Sequence, residues 1–132
     1  MKINGLDHIA LMVSDPEFSA EWYVKTLGLK RYHFENEWEP YPILVLGGTS
    51  GLALFPSQSG QPYTKNQMTG LSHFAFKIDI ADLDGAKHRL EKMGIKVSFE
   101  DHKYFHSIYF SDPDAYIVEL TALTVKPEIF YR

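Results

Sequence analysis

The sequence predicts an α+β protein made of two tandem βαβββ modules, each a strand, a helix and three further strands. Two observations lead there. First, the chain repeats itself: GLDHIALMV at 5–13 returns as GLSHFAFKI at 70–78, so that Gly5, Leu6, His8 and Ala10 fall on Gly70, Leu71, His73 and Ala75 at an offset of 65 residues. Further matches follow at an offset of 66: Leu27-Gly28-Leu29-Lys30 on Met93-Gly94-Ile95-Lys96, and Leu52-Ala53-Leu54-Phe55 on Val118-Glu119-Leu120-Thr121. Second, each half carries the same succession of strand and helix patterns between turn signals. At 132 residues the whole reads as one domain, with module one at about 1–56, a linker at about 57–69, module two at about 70–122 and a tail at 123–132.

The first strand of module one is expected at about 6–13. Alternation sets Ile9, Leu11 and Val13 on a core face and His8, Ala10 and Met12 on the other. A helix at about 16–27 is opened by Ser14-Asp15-Pro16, a capping side chain followed by proline at the first turn, and is stopped by Gly28. Strands follow at about 29–36, 42–47 and 51–56, and the polar, Gly- and Pro-containing stretch SQSGQPYTKNQMTG reads as a loop. In module two the strand at about 71–79 puts Phe74, Phe76 and Ile78 on the core face and His73 and Ala75 opposite. Leu83, Ala86, Leu90 and Met93 recur at helical spacing over about 82–93, with Gly94 as the stop. The last strands are expected at about 95–100, 106–111 and 116–122, with Asp112-Pro113-Asp114 as a hairpin turn. The apolar members of the tail KPEIFYR are candidates to pack on a partner.

Composition narrows the function. The hydrophobic fraction of 45% and charged fraction of 23% are those of an ordinary globular chain. With no cysteine there is no disulfide framework and no thiolate metal site, so nitrogen and oxygen must hold any transition metal. No apolar run reaches the roughly 18 residues of a membrane span, and the N-terminus lacks the plan of a signal peptide, so a cytoplasmic protein away from membranes is expected. A formal charge of −4 argues against nucleic acid as the partner. A small-molecule substrate is the better expectation.

Glu119 is the residue that asks for chemistry. It lies inside YIVELTAL, a run too apolar to solvate a carboxylate, and an isolated buried carboxylate is several kcal/mol unfavourable. Taken singly, His8 and His73 read more readily as hydrogen-bonded core or half-exposed strand residues than as ligands, and Glu119 as an edge residue facing water. Their repeated position favours the alternative, in which two imidazoles and one carboxylate converge on a cation and leave open positions for substrate or water.

The opening DHIALMVSD with WYVKTLGL after it, then LSHFAFKI, then SIYFSDPDAYIVEL, together resemble the vicinal oxygen chelate superfamily, the glyoxalase, bleomycin-resistance and extradiol dioxygenase group. The resemblance spans nearly the whole chain. It implies paired βαβββ modules whose mixed sheets curve around a metal-bearing cavity, with His8, His73 and Glu119 as metal ligands and a homodimer as the common assembly. It also implies a divalent metal ion, Fe, Mn, Ni or Zn, acting on a small substrate that chelates it through adjacent oxygens. Glyoxalase I-like members carry a further acidic ligand where the repeat places Ala53, so the chain is more similar to three-ligand members, the extradiol dioxygenases and fosfomycin-modifying transferases. The latter have a Ser-x-Tyr pair like Ser107 and Tyr109, but Ala10 stands where they tend to have threonine, and no basic cluster for a phosphonate is evident.

Tyr109, His106 and His102 are candidates for a proton-transferring group, Tyr109 and His106 being the catalytic expectation. Strict alternation would set His106 opposite Tyr109 unless the strand starts after it or bulges. His102 reads more readily as a structural residue of a solvated loop. Trp38, Phe55, Tyr63 and Tyr104 are candidate apolar walls or plain core residues, while His33 and His88 read as surface residues. The function expected is a metal-dependent dioxygenase or glyoxalase-like lyase. The rivals are a bleomycin-resistance-like binding protein that needs no metal and a fosfomycin-modifying thiol transferase.

Overall fold

The computed structural model describes residues 1–32, 40–58, 60 and 70–131. His33, Trp38 and Tyr63, the end of the expected 29–36 strand and most of the expected linker lie outside them. The chain divides into two compact units, Met1–Met68 and Thr69–Arg132. The first contains β1 (His8–Val13), α1 (Pro16–Leu27), β2 (Lys30–Tyr32), β3 (Ile43–Gly47) and β4 (Ser50–Pro56). The second contains β5 (Phe74–Lys77), α2 (Ile80–Lys92), β6 (Ser98–Asp101), β7 (Phe105–Ser111), β8 (Ile117–Leu123) and the short α3 (Pro127–Phe130). Each has a mixed four-stranded sheet, in the orders β1-β4-β3-β2 and β5-β8-β7-β6. In both, the first strand runs parallel to the last, and the remaining pairs are antiparallel.

Local chemistry explains the helix limits. Asp15 is extended and its carboxylate accepts the Phe18 N–H at 3.1 Å, Pro16 needs no partner for an N–H it lacks, and Gly28 closes α1 at φ 67° with its N–H on the Val24 carbonyl. Pro16, Ser19, Ala20, Tyr23 and Thr26 form its buried stripe, which packs on β3 and β4. α2 begins at Ile80, two residues before the expected start, after an extended Asp79 whose side chain makes no capping bond, and Gly94 follows its end at φ 79°. Leu83 and Leu90 are its buried anchors over β7 and β8.

Alternation decides what each sheet does with its two faces. Under α1 lie Leu11, Val13, Ile43, Val45 and Leu54, all at most 1% exposed, and under α2 lie Ile108, Val118 and Ala122, all 0% exposed. Removing one such aliphatic side chain from water contributes roughly 1.5–3 kcal/mol, so these helix-covered faces hold each unit together. The residues in between point the other way. His8, Ala10 and Met12 on β1 are exposed, as are His73 ahead of β5 and Ala75 and Lys77 within it. Among the described residues this second face carries no helix in the first unit, and in the second only the short α3, whose Phe130 packs on Phe105 of that face. The tail is helical, and Phe130 packs its ring on Phe105 and Tyr104 at centroid separations of 4.8 and 5.8 Å. No helix of the described residues is long and apolar enough to cross a membrane.

Candidate functional site

On the open face of the second sheet, register brings distant residues into one row. Ala75 on β5 is opposite Glu119 on β8, and Glu119 is opposite Tyr109 on β7. The backbone pairing therefore fixes Glu119 between them. His73 reaches back to the carboxylate, its Nε2 2.9 Å from Glu119 Oε2. The carboxylate side chain is 9% exposed and the imidazole 40%, so the charge is withdrawn from water while the ring keeps one side open. The Glu119 pairing supplies part of the compensation that a buried carboxylate requires.

Tyr109 extends the row. Its ring meets the His73 ring edge-on at 5.7 Å, and its hydroxyl is hydrogen-bonded to His102 Nε2 at 2.9 Å. Burial, followed by hydrogen bonding to Glu119 and that residue's negative charge, raises the Tyr109 phenol above the ordinary tyrosine value, with a hydrogen bond from Ser107 opposing. The phenol therefore keeps its hydrogen and is available as a hydrogen-bond donor. Next along the face, Ser107 Oγ donates to Thr121 Oγ1 at 2.9 Å, and Ser107 is fully buried.

The turn between β6 and β7 explains how His102 arrives. Asp101 Oδ1 accepts the Lys103 N–H at 2.8 Å, Lys103 takes a left-handed φ of 71°, and the His102 N–H donates to the Phe105 carbonyl at 2.8 Å. His106 is placed elsewhere. β7 already runs from Phe105 in unbroken register, so His106 lies opposite Asp101 and Ala122 and shares the face of Ile108 and Phe110. Its Nε2 is 3.6 Å from Asp101 Oδ1 and its ring contacts Phe99 at 5.3 Å. The structure groups His73, Glu119, Tyr109 and His102, and leaves His106 on the other side of the sheet. His88 is exposed on α2, Tyr104 packs on Phe130, and Phe55 is opposite Met12 on the open face of the first sheet.

In the first unit His8 is opposite Gly51 on β4, and its Nδ1 is 2.7 Å from Asp7 Oδ2. His73 shows the same local pattern, Nδ1 being 3.1 Å from Ser72 Oγ. Asp7 and Ser72 occupy equivalent places in the repeat. Both rings are thus held at Nδ1 by the preceding side chain. Ala53 stands where the second unit has Glu119, opposite Ala10 and Leu44, and offers no donor. Imidazole nitrogen beside a buried carboxylate is a donor set that suits a divalent first-row cation, and in that sense the residues fit one. Among the described residues no three His, Asp or Glu side chains form a group that could hold a metal ion, so His73 and Glu119 stand as a pair. An open pocket lined by Glu21, Val24, Lys25 and Arg31 contains none of these residues.

The model of the Glyoxalase/Bleomycin resistance protein/Dioxygenase superfamily matches residues 5–120. The chain belongs to that superfamily. Among its members, glutathione transferase FosA of Serratia marcescens is 26% identical over 118 residues, covering 89% of this chain and 80% of FosA. A glyoxalase/dioxygenase from Nostoc punctiforme superposes with a TM-score of 0.76 at 23% identity, covering 92% of each chain. TnmS3, an antibiotic binding protein from Streptomyces sp. CB03234, superposes with a TM-score of 0.73 at 23% identity, covering 94% of this chain and 99% of that one. At those identities the two superpositions speak for the glyoxalase fold, which this chain shares.

Sequence reasoning gave too little weight to three residues. For Asp7 and Ser72 a signal existed, the polar residue preceding histidine in both copies of the repeat. For His102 there was none, because it sits in a turn where alternation has no meaning.

Proposed function

We propose that this chain is a divalent-metal-dependent enzyme of the superfamily, with His8, His73 and Glu119 as ligands and a small substrate bearing adjacent oxygens. The observation that carries the reading is the withdrawn Glu119 carboxylate held 2.9 Å from His73 Nε2 on the sheet face opposite α2. A bound Fe, Mn, Ni or Zn ion would supply Lewis acidity to the substrate's oxygens and leave positions open to them. The protein supplies the rest. Glu119 and the two imidazoles fix the cation's place. Tyr109, protonated at neutral pH, donates a hydrogen bond or a proton to an oxygen that gains negative charge. His102 Nε2, 2.9 Å from the Tyr109 hydroxyl, is placed to return that proton.

Metal analysis of protein purified without chelator tests this directly. Stoichiometric metal that disappears on His8→Ala, His73→Ala or Glu119→Ala is the expected result. Protein that stays metal-free in excess Fe, Mn, Ni and Zn overturns it, and favours a ligand-sequestering role of the kind named for TnmS3. A second reading, thiol transfer, is favoured by the relation to FosA, a glutathione transferase. Catechols, 2-oxoaldehyde hemithioacetals, and epoxides offered with a thiol separate these chemistries on the metal-loaded protein.

A further inference from the structure

Each candidate ligand imidazole has a partner at the nitrogen that faces away from its proposed metal-binding atom, and the two partners differ in kind. A carboxylate can only accept a hydrogen bond, whereas a hydroxyl can donate or accept. Asp7 Oδ2 at 2.7 Å therefore requires a hydrogen on His8 Nδ1, which in the neutral ring leaves the lone pair on Nε2. His73 is set differently. Its Nε2 lies 2.9 Å from Glu119 Oε2, so without a cation that nitrogen carries the hydrogen and donates it to the carboxylate, while Nδ1 accepts from Ser72 Oγ at 3.1 Å. For Nε2 of His73 to ligate a metal, the hydrogen must leave Nε2 and Nδ1 must become the donor. Ser72 can follow that exchange by rotating its hydroxyl, and a carboxylate in its place could not.

We propose that Asp7 and Ser72 are positioning residues for metal capture, Asp7 holding His8 permanently in the ligating tautomer and Ser72 allowing His73 to pass between a carboxylate-paired and a metal-ligating tautomer. This rests on the metal-dependent reading above. It adds an order to the event: His8 is ready before the cation arrives, and His73 adapts when it does. Partners of this kind, which hold a ligand's far nitrogen, typically contribute 10- to 100-fold in metal affinity. Asp7 has a side chain 89% exposed, so the lower end of that range, about tenfold, is expected.

The test uses the full chain in two measurements. Nitrogen-15 NMR of the imidazoles in chelator-treated protein, at a pH where histidine is neutral, reads the tautomers. His8 is expected as the Nδ1–H form in the wild type and as a mixture in Asp7→Ala; His73 is expected as the Nε2–H form, changing to Nδ1–H on addition of Zn. Titration with Zn and with Mn reads affinity, with about tenfold weakening in Asp7→Ala, recovery of most of it in Asp7→Asn, which keeps an accepting oxygen, and an unchanged metal-free unfolding midpoint in both. Wild-type protein that binds metal with Asp7→Ala binding equally well overturns this inference alone. So does a His8 tautomer indifferent to Asp7. Wild-type protein that binds neither of these metals, nor Fe or Ni, removes the proposed function and this inference together.

Discussion

Replacing Glu119 by glutamine separates what the carboxylate does for folding from what it does for a cation. Its side chain is 9% exposed, and desolvating a carboxylate to that degree is unfavourable by several kcal/mol, offset in part by His73 at 2.9 Å and by Tyr109. Glutamine keeps the volume and an accepting oxygen but removes the charge. The usual danger in breaking a buried pair is a stranded partner charge, and here the partner is an imidazole 40% exposed that can simply be neutral. Glu119→Gln is therefore expected to match or exceed the wild type without metal, by up to about 2 kcal/mol, or roughly 6 °C in a chain of this size. With a divalent cation at a hundredfold its Kd, the wild type gains about 2.7 kcal/mol, or roughly 8 °C, and the glutamine variant gains little because a neutral amide is a poor ligand. The two melting curves should cross over between chelator and metal. Circular dichroism of both proteins under both conditions checks it. A variant about 3 kcal/mol or more below the wild type in chelator would make Glu119 a structural ion-pair partner and refute the reasoning.

Further expectations follow from single contacts. Tyr109 holds its proton more tightly folded than unfolded, so its contribution to stability is complete below pH about 10 and is lost as the pH climbs through the higher folded value. The tyrosinate absorbance of metal-free Tyr109→Phe should lack one titration step above the ordinary tyrosine range, and an unchanged curve would show that Tyr109 contributes none there. Asp112 Oδ1 accepts the N–H groups of Asp114 and Tyr116, each at 2.9 Å, in a buried turn. Asp112→Ala should lower stability by about 2–3 kcal/mol in urea denaturation and Asp112→Asn should restore most of it. A methyl group on Gly51 would come within 2.1 Å of the Val45 carbonyl oxygen and 2.8 Å of Leu46 Cα. These are backbone atoms of β3 and cannot swing aside, so Gly51→Ala should lose about 1–3 kcal/mol, read from its thermal midpoint.

The fold was legible because both of its signals are short-range. Alternation in HIALMV and FAFK assigns the covered and open faces without knowledge of their neighbours, and Pro16, Gly28 and Gly94 mark helix limits by their own backbone preferences. The repeat then carried the succession of elements from one half to the other. Glu119 was legible for another reason: a carboxylate in an apolar strand needs an explanation that a surface one does not. The start of α2 was missed because Asp79 makes no side-chain cap for the sequence to announce. His102 was undervalued because its approach to Tyr109 depends on a left-handed Lys103, a residue type that seldom signals such a turn. The contacts of Asp7 and Ser72 needed atomic positions, since neighbouring residues on an ideal strand point apart.

The two sheets carry the same ladder with different side chains. In the first, Ala10, Ala53 and Leu44 sit side by side across β1, β4 and β3; in the second, Ala75, Glu119 and Tyr109 do so across β5, β8 and β7. Equal register means that the backbone presents each trio alike, so their chemistry differs through side chains alone. The buried centres of the helix-covered faces are apolar in both units, because stability depends on them. The open faces are free to diverge. Among the described residues, one carries mainly apolar side chains beside His8, which Asp7 holds, while the other has gathered an imidazole, a carboxylate and a phenol into one hydrogen-bonded row. The repeat places His8 of the first unit at the position that His73 holds in the second, so both copies offer an imidazole there and one copy adds the carboxylate.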